Sequence, residues 1–111
     1  MLTKLDISQA LQGLSNKDFS ATELVTSYIE KAKESSSLNA YIYNCFDTAI
    51  DQAKQSDKRI ARGNALPLDG LPIAVKDLFC TKNIPTTACS NILKGFIPSY
   101  ESTVTSNIFA K

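Results

Sequence analysis

The residues best suited to chemistry lie in the stretch Leu66-Pro67-Leu68-Asp69-Gly70-Leu71-Pro72-Ile73-Ala74-Val75-Lys76-Asp77. Pro67, Asp69 and Gly70 are turn formers, and Pro72 is tolerated at the start or edge of a strand. Ile73, Ala74 and Val75 then make a short apolar run that a lysine closes. An ammonium in that setting is costly unless it is paired, solvated or neutral. A neutral amine can take the proton from a hydroxyl nucleophile and later return it to a leaving group. The plainer alternative is a lysine whose stem covers apolar surface while its charge stays in water, or one paired with a carboxylate. Asp77 is a poor partner for it, because adjacent residues of a strand face opposite ways. Asp77 is read instead as structural support, hydrogen-bonding loop backbone. Thr86, Thr87 and Ser90 are small loop hydroxyls expected to satisfy nearby backbone groups.

Elimination narrows the chemistry further. The 111 residues contain no histidine, which removes a Ser-His-Asp triad and every imidazole metal site. Any base here must be Lys, Asp, Glu or the N-terminal amine. Cys45, Cys80 and Cys89 are odd in number and lack CxxC spacing, so reduced thiols are expected, with no disulfide frame and no metal site. A net charge of +1, with 43% hydrophobic and 21% charged residues, fits one globular domain and gives no sign of a nucleic-acid or membrane surface. There is no long apolar run and no secretory start, so a cytoplasmic location is expected.

Several elements must hold that stretch in place. Asp6 with Gln9 predicts the start of a short helix carrying Ile7, Ala10, Leu11 and Leu14. Ser20-Ala21-Thr22-Glu23 is a capping box flanked by the staple pair Phe19 and Leu24. The helix it opens has an apolar stripe of Ala21, Leu24, Val25, Tyr28, Ile29 and Ala32, read as core, with a partner interface as the alternative. Alternation over Leu38 to Tyr43 predicts a strand. Asn44 is expected to cap a third helix with Phe46, Ala49, Ile50, Ala53, Ile60 and Ala61 on one face, stopping at Gly63-Asn64. Its charges Asp47, Asp51, Lys54, Lys58 and Arg62 read as a solvated face. With the Lys76 strand this makes a βαβ unit, and hence an α/β fold. A helical turn over Ala88 to Leu93 and a helix from Ser102 or Thr103, still running at Lys111, complete the pattern. Two strands are too few for a parallel sheet, so residues 1–111 are expected to be an incomplete part of a larger domain, without a sharp cooperative unfolding transition of their own.

Asp69-Gly70-Leu71-Pro72-Ile73-Ala74-Val75-Lys76-Asp77 resembles the lysine motif of the amidase-signature family. Leu78 to Lys82, Thr86 to Leu93 and Phe96 to Val104 are similar to one branch of it, the glutamine-hydrolysing subunits of tRNA-dependent amidotransferases. The similarity spans the chain, more loosely before Leu38. Asn83 stands where that family commonly has glycine, and Cys89 where it has alanine or glycine.

The resemblance implies a mixed sheet flanked by helices, with residues 1–111 as the N-terminal part of a single amidase-signature domain. It implies a Ser–cis-Ser–Lys site in which Lys76 is the relay base. No Gly-rich serine loop occurs in these residues, so alone they are expected to be inactive, and their substrate-binding residues stay unassigned. For the whole enzyme it implies hydrolysis of glutamine to supply ammonia and a heterotrimer with two other subunits. One of those uses ATP and Mg to convert glutamyl-tRNA(Gln) to glutaminyl-tRNA(Gln); no cofactor is expected in this segment. A stand-alone amidase acting on a small amide, and a non-catalytic interaction module, remain open as alternatives.

Overall fold

The structure, a computed structural model, describes residues 1–111. The chain divides into two units, Met1–Pro72 and Ile73–Lys111. The first is built on three helices, α1 (Ile7–Asn16), α2 (Ala21–Glu34) and α3 (Phe46–Ala61). Both predicted capping boxes form. Asp6 accepts from the Gln9 N–H at 2.8 Å, and the Gln9 side chain accepts from the Asp6 N–H at 3.0 Å. Ser20 and Glu23 exchange the equivalent pair at the head of α2. The free N–H groups of Ala21 and Thr22 go to the carboxylate of Asp57 on α3, at 2.7 and 3.1 Å. The first turn of α2 is thus satisfied from two helices, and α3 is tied to the end of α2.

Leu24, Ala21, Leu14, Ala10, Val25, Ile29 and Ala53 form the core, with Phe19, Phe46, Ile50, Ile60 and Leu71 packed against it. This is the expected face of α2, with Tyr28 left at its exposed edge. On α1 the expected stripe is shortened at its start: Ile7 is 68% exposed. Gly13 is buried instead, and a Cβ there would lie 2.3 Å from the Phe19 ring.

The expected mixed sheet is not present: every regular element is a helix or a 3-10 turn. Leu38 closes a 3-10 turn, Asn39 takes a left-handed φ of 50°, and residues 40–45 run without a strand. Alternation there would bury one side of a strand, yet Ile42 and Tyr41 are both exposed. Residues 73–76 likewise have no strand partner. A strand exists by bonding to a neighbour, and neither segment has one within these residues, so the βαβ unit does not form. The cap of α3 falls on Cys45 rather than Asn44 and makes no side-chain bond.

The second unit has little helix: a 3-10 turn at Asn91–Leu93 and the short α4 (Thr103–Phe109), which ends before Lys111. The expected turn from Ala88 is confined to those three residues. Buried polar groups hold it. Thr105, wholly enclosed, donates to the Cys80 carbonyl at 3.1 Å and lies 2.6 Å from a Glu101 carboxylate oxygen. The Ser102 N–H reaches the same carbonyl at 2.7 Å. Thr86, also buried, donates its N–H to the Phe96 carbonyl at 3.1 Å.

Candidate functional site

The turn that precedes Lys76 is fastened to the helices of the first unit by three devices. The Asp69 carboxylate, buried, takes two bonds of 2.7 Å from the Arg59 guanidinium in the fork geometry suited to that pair. The Arg59 bonds hold the Asp69 carboxyl below its ordinary range, against the opposing effect of burial. Gly70 has a φ of 86°, and a Cβ on it would stand 2.9 Å from the Ala21 Cβ. Only glycine meets both demands cheaply. Leu71 then joins the core.

In the second unit the polar groups gather on Asp77. Its carboxylate accepts from the Thr87 N–H at 2.9 Å and, more closely still, from the Thr87 hydroxyl. The Asp77 carbonyl accepts from the Ala88 N–H at 2.7 Å. The Thr87 hydroxyl, its N–H and the Cys89 N–H together hold the Asp77 carboxyl below its ordinary range. Ala88 and Cys89 follow in consecutive left-handed conformations, φ 47° and 56°. Lys76 is exposed. Its carbonyl takes the N–H groups of Leu78 and Phe79 at 2.8 and 3.1 Å, closing a turn.

Of the hydroxyls expected to act locally, Thr86 donates to the Ile84 carbonyl and Ser90 accepts from the Ile92 N–H. Thr87 also does so, accepting from the Cys89 N–H at 3.3 Å, and in addition it donates to the Asp77 carboxylate ten positions away. Chemically, Lys76 is the free amine and Asp77 the engaged carboxylate. No three His, Cys, Asp or Glu side chains cluster as a metal site would need.

The profile of the Amidase family matches residues 23–111. The chain belongs to the amidase family. Over 110 residues it is 51% identical to the A subunit of glutamyl-tRNA(Gln) amidotransferase from Rickettsia bellii (strain OSU 85-389), covering 99% of this chain and 22% of that protein. It is 50% identical over 108 residues to the protein of the same name from Caulobacter vibrioides (strain NA1000 / CB15N), covering 97% of this chain and 22% of the relative. The chain therefore spans about a fifth of the length of these relatives.

This amidase-family chain has polar anchors that residue spacing does not single out. Asp57 and Arg59 sit on α3 beside the charges expected to be solvated, one of which, Lys54, pairs with Asp51 at 3.6 Å in the open. What separates Asp57 and Arg59 from these is a partner far along the chain, for which the local sequence carries no signal. A surface cleft of about 580 Å³ also opens in the first unit, between Leu11, Leu14 and Lys17 on one side and Ile60, Leu66 and Pro67 on the other. No helix is long and apolar enough to cross a membrane.

Proposed function

We propose that residues 1–111 are the N-terminal part of a single amidase domain in the glutaminase subunit of a tRNA-dependent amidotransferase. The observation that carries this is the half identity to the two named relatives along nearly the whole chain, through the Asp69–Asp77 motif. In this reading the complete subunit hydrolyses glutamine through a serine acyl-enzyme and releases ammonia. Lys76 relays the proton: it receives it by way of a second serine as the nucleophile attacks, and returns it to the departing amine. Both serines belong to the portion of the domain outside these residues. Within residues 1–111 Lys76 is exposed, and in this reading the rest of the domain covers it.

Two partner subunits complete a heterotrimer. One of them, with ATP and Mg, amidates glutamyl-tRNA(Gln) using the ammonia. In this reading the ATP and Mg chemistry belongs to the partner.

The test is Lys76→Ala and Lys76→Met in the full-length protein, assayed as the assembled complex. Glutamine hydrolysis should be abolished while assembly is retained. Near-normal turnover in either variant would refute the role.

A further inference from the structure

We propose that Thr87 is a positioning residue for Lys76, acting by clamping Asp77. The inference rests on the reading of Lys76 as the relay base.

A lysine amine rides on four rotatable bonds, so its reach is set by where its own Cα is held. The Lys76 side chain takes part in none of the structure's hydrogen bonds or ion pairs; its backbone does the anchoring. Immediately after it, Asp77 is gripped at both ends. The Thr87 hydroxyl and N–H close on its carboxylate, and the Ala88 N–H closes on its carbonyl. A residue bonded through side chain and main chain to the same short segment has lost the rotations that would swing its neighbour.

The grip is maintained against a cost. Ala88 and Cys89 both sit at positive φ without being glycine, and each such residue is disfavoured by about 1–2 kcal/mol. Conformations of that kind persist where surrounding bonds over-determine them. Thr87 supplies two of those bonds and also receives the Cys89 N–H on its hydroxyl oxygen at 3.3 Å. Its hydroxyl is thus the link between the Asp77 carboxylate and the left-handed pair. Valine in its place would keep the shape and remove the link.

The experiment uses the full-length protein in its assembled complex, with Thr87→Val, Thr87→Ser and Lys76→Ala compared by kcat and KM for glutamine hydrolysis and by thermal midpoint. Thr87→Val should lower kcat by about 10- to 100-fold, the loss expected when a reacting group is displaced by about 1 Å, with KM and midpoint nearly unchanged. Thr87→Ser, which keeps the hydroxyl, should restore most of the rate. If Lys76→Ala is inactive while Thr87→Val keeps its kcat, the positioning role is overturned and the relay stands. If Lys76→Ala turns over normally, the relay itself falls, and this inference with it. Should Thr87→Val fail to assemble, Asp77→Asn carries the comparison: a kcat loss at constant KM supports the clamp, and wild-type kcat overturns it. Equal loss of thermal midpoint in the Val and Ser variants, with kcat unchanged in the molecules that remain folded, also overturns it.

Discussion

In Met1–Pro72 the enclosed side chains include Leu24, Ala21, Leu14 and Ala10; in Ile73–Lys111 they are Thr105, Thr86 and Pro98. The first unit removes apolar surface from water, and its polar anchors, Asp57 and the Arg59–Asp69 pair, sit at the edges of that core. The second inverts the arrangement. Its hydroxyls and carboxylates face inward onto backbone, while Ile92, Ile97, Phe96, Tyr100 and Phe109 face outward, Ile92 at 93% exposure. Burial contributes about 25 cal/mol per Å² of apolar area, whereas an intramolecular hydrogen bond nets about 1 kcal/mol because water competes for both partners. Within residues 1–111, the unit that carries Lys76, Asp77 and Thr87 therefore has geometry without much apolar burial of its own. The unit that carries no candidate chemistry has the driving force.

The sharpest way to break this contrast is a matched pair of truncations. In the full-length protein, Leu24→Ala should cost about 2–5 kcal/mol, the lost transfer energy plus a cavity, read as a fall in the urea midpoint of the helical signal. Phe96→Ala should cost less than about 0.5 kcal/mol by the same measure, because the ring is already partly in water and its carbonyl keeps the bond to Thr86. Comparable losses would mean that apolar packing supports both units alike.

A middle-sized effect tests the polar edge of the first unit. The Asp69 side chain is 3% exposed and that of Arg59 is 40% exposed. Arg59→Met leaves a buried carboxylate unpaired, and after allowing for solvent screening of the half-exposed guanidinium the cost should be about 1–3 kcal/mol. The pH dependence follows from sign. The folded state holds the Asp69 carboxyl below its ordinary value of 3.8, chiefly through Arg59. Its contribution is thus complete above about pH 5 and is lost as pH falls through the ordinary value toward the lowered one. The wild-type urea midpoint should drop between about pH 5 and pH 3, and in Arg59→Met that drop should shrink. An unchanged acid limb would show that the pair does not govern it.

The same contrast explains what can be read from residues alone. Asp6 with Gln9 and Ser20 with Glu23 announce their helices because a capping box is complete within four positions. The stripe from Ala21 to Ile29 is legible because one helix face answers to one core. Pattern misleads at Leu38–Tyr43 and Ile73–Lys76 because alternation says which side a strand would bury but not whether a partner is there to bond it. Family kinship is legible in the Asp69–Asp77 motif, while the exposure of Lys76 is not, since burial depends on what else covers the segment. That Asp77 bonds a loop can be expected from its place beside one. That Thr87 is the donor, ten positions on, cannot, because nothing in either residue's neighbourhood encodes a partner at that distance.

The smallest effect probes the second unit by its own means. Gly70 and Cys89 share a left-handed backbone, φ 86° and 56°, in different units. At Gly70 the chain has already the residue that fits, and Ala21 lies against the spot where a Cβ would go. At Cys89 the side chain is exposed, so its Cβ adds conformational cost with little packing in return. Cys89→Gly removes about 1–2 kcal/mol of that cost and adds about 0.5–1 kcal/mol of backbone entropy in the unfolded chain. The net gain of roughly 0.5–1 kcal/mol should slow hydrogen exchange at the Thr87 and Ala88 amides by about 2- to 5-fold. The core amides of α2 should be untouched. Faster exchange at Thr87 would instead mean that the cysteine side chain stabilises the loop. The second unit would then owe more to side-chain packing than its buried threonines and exposed rings suggest.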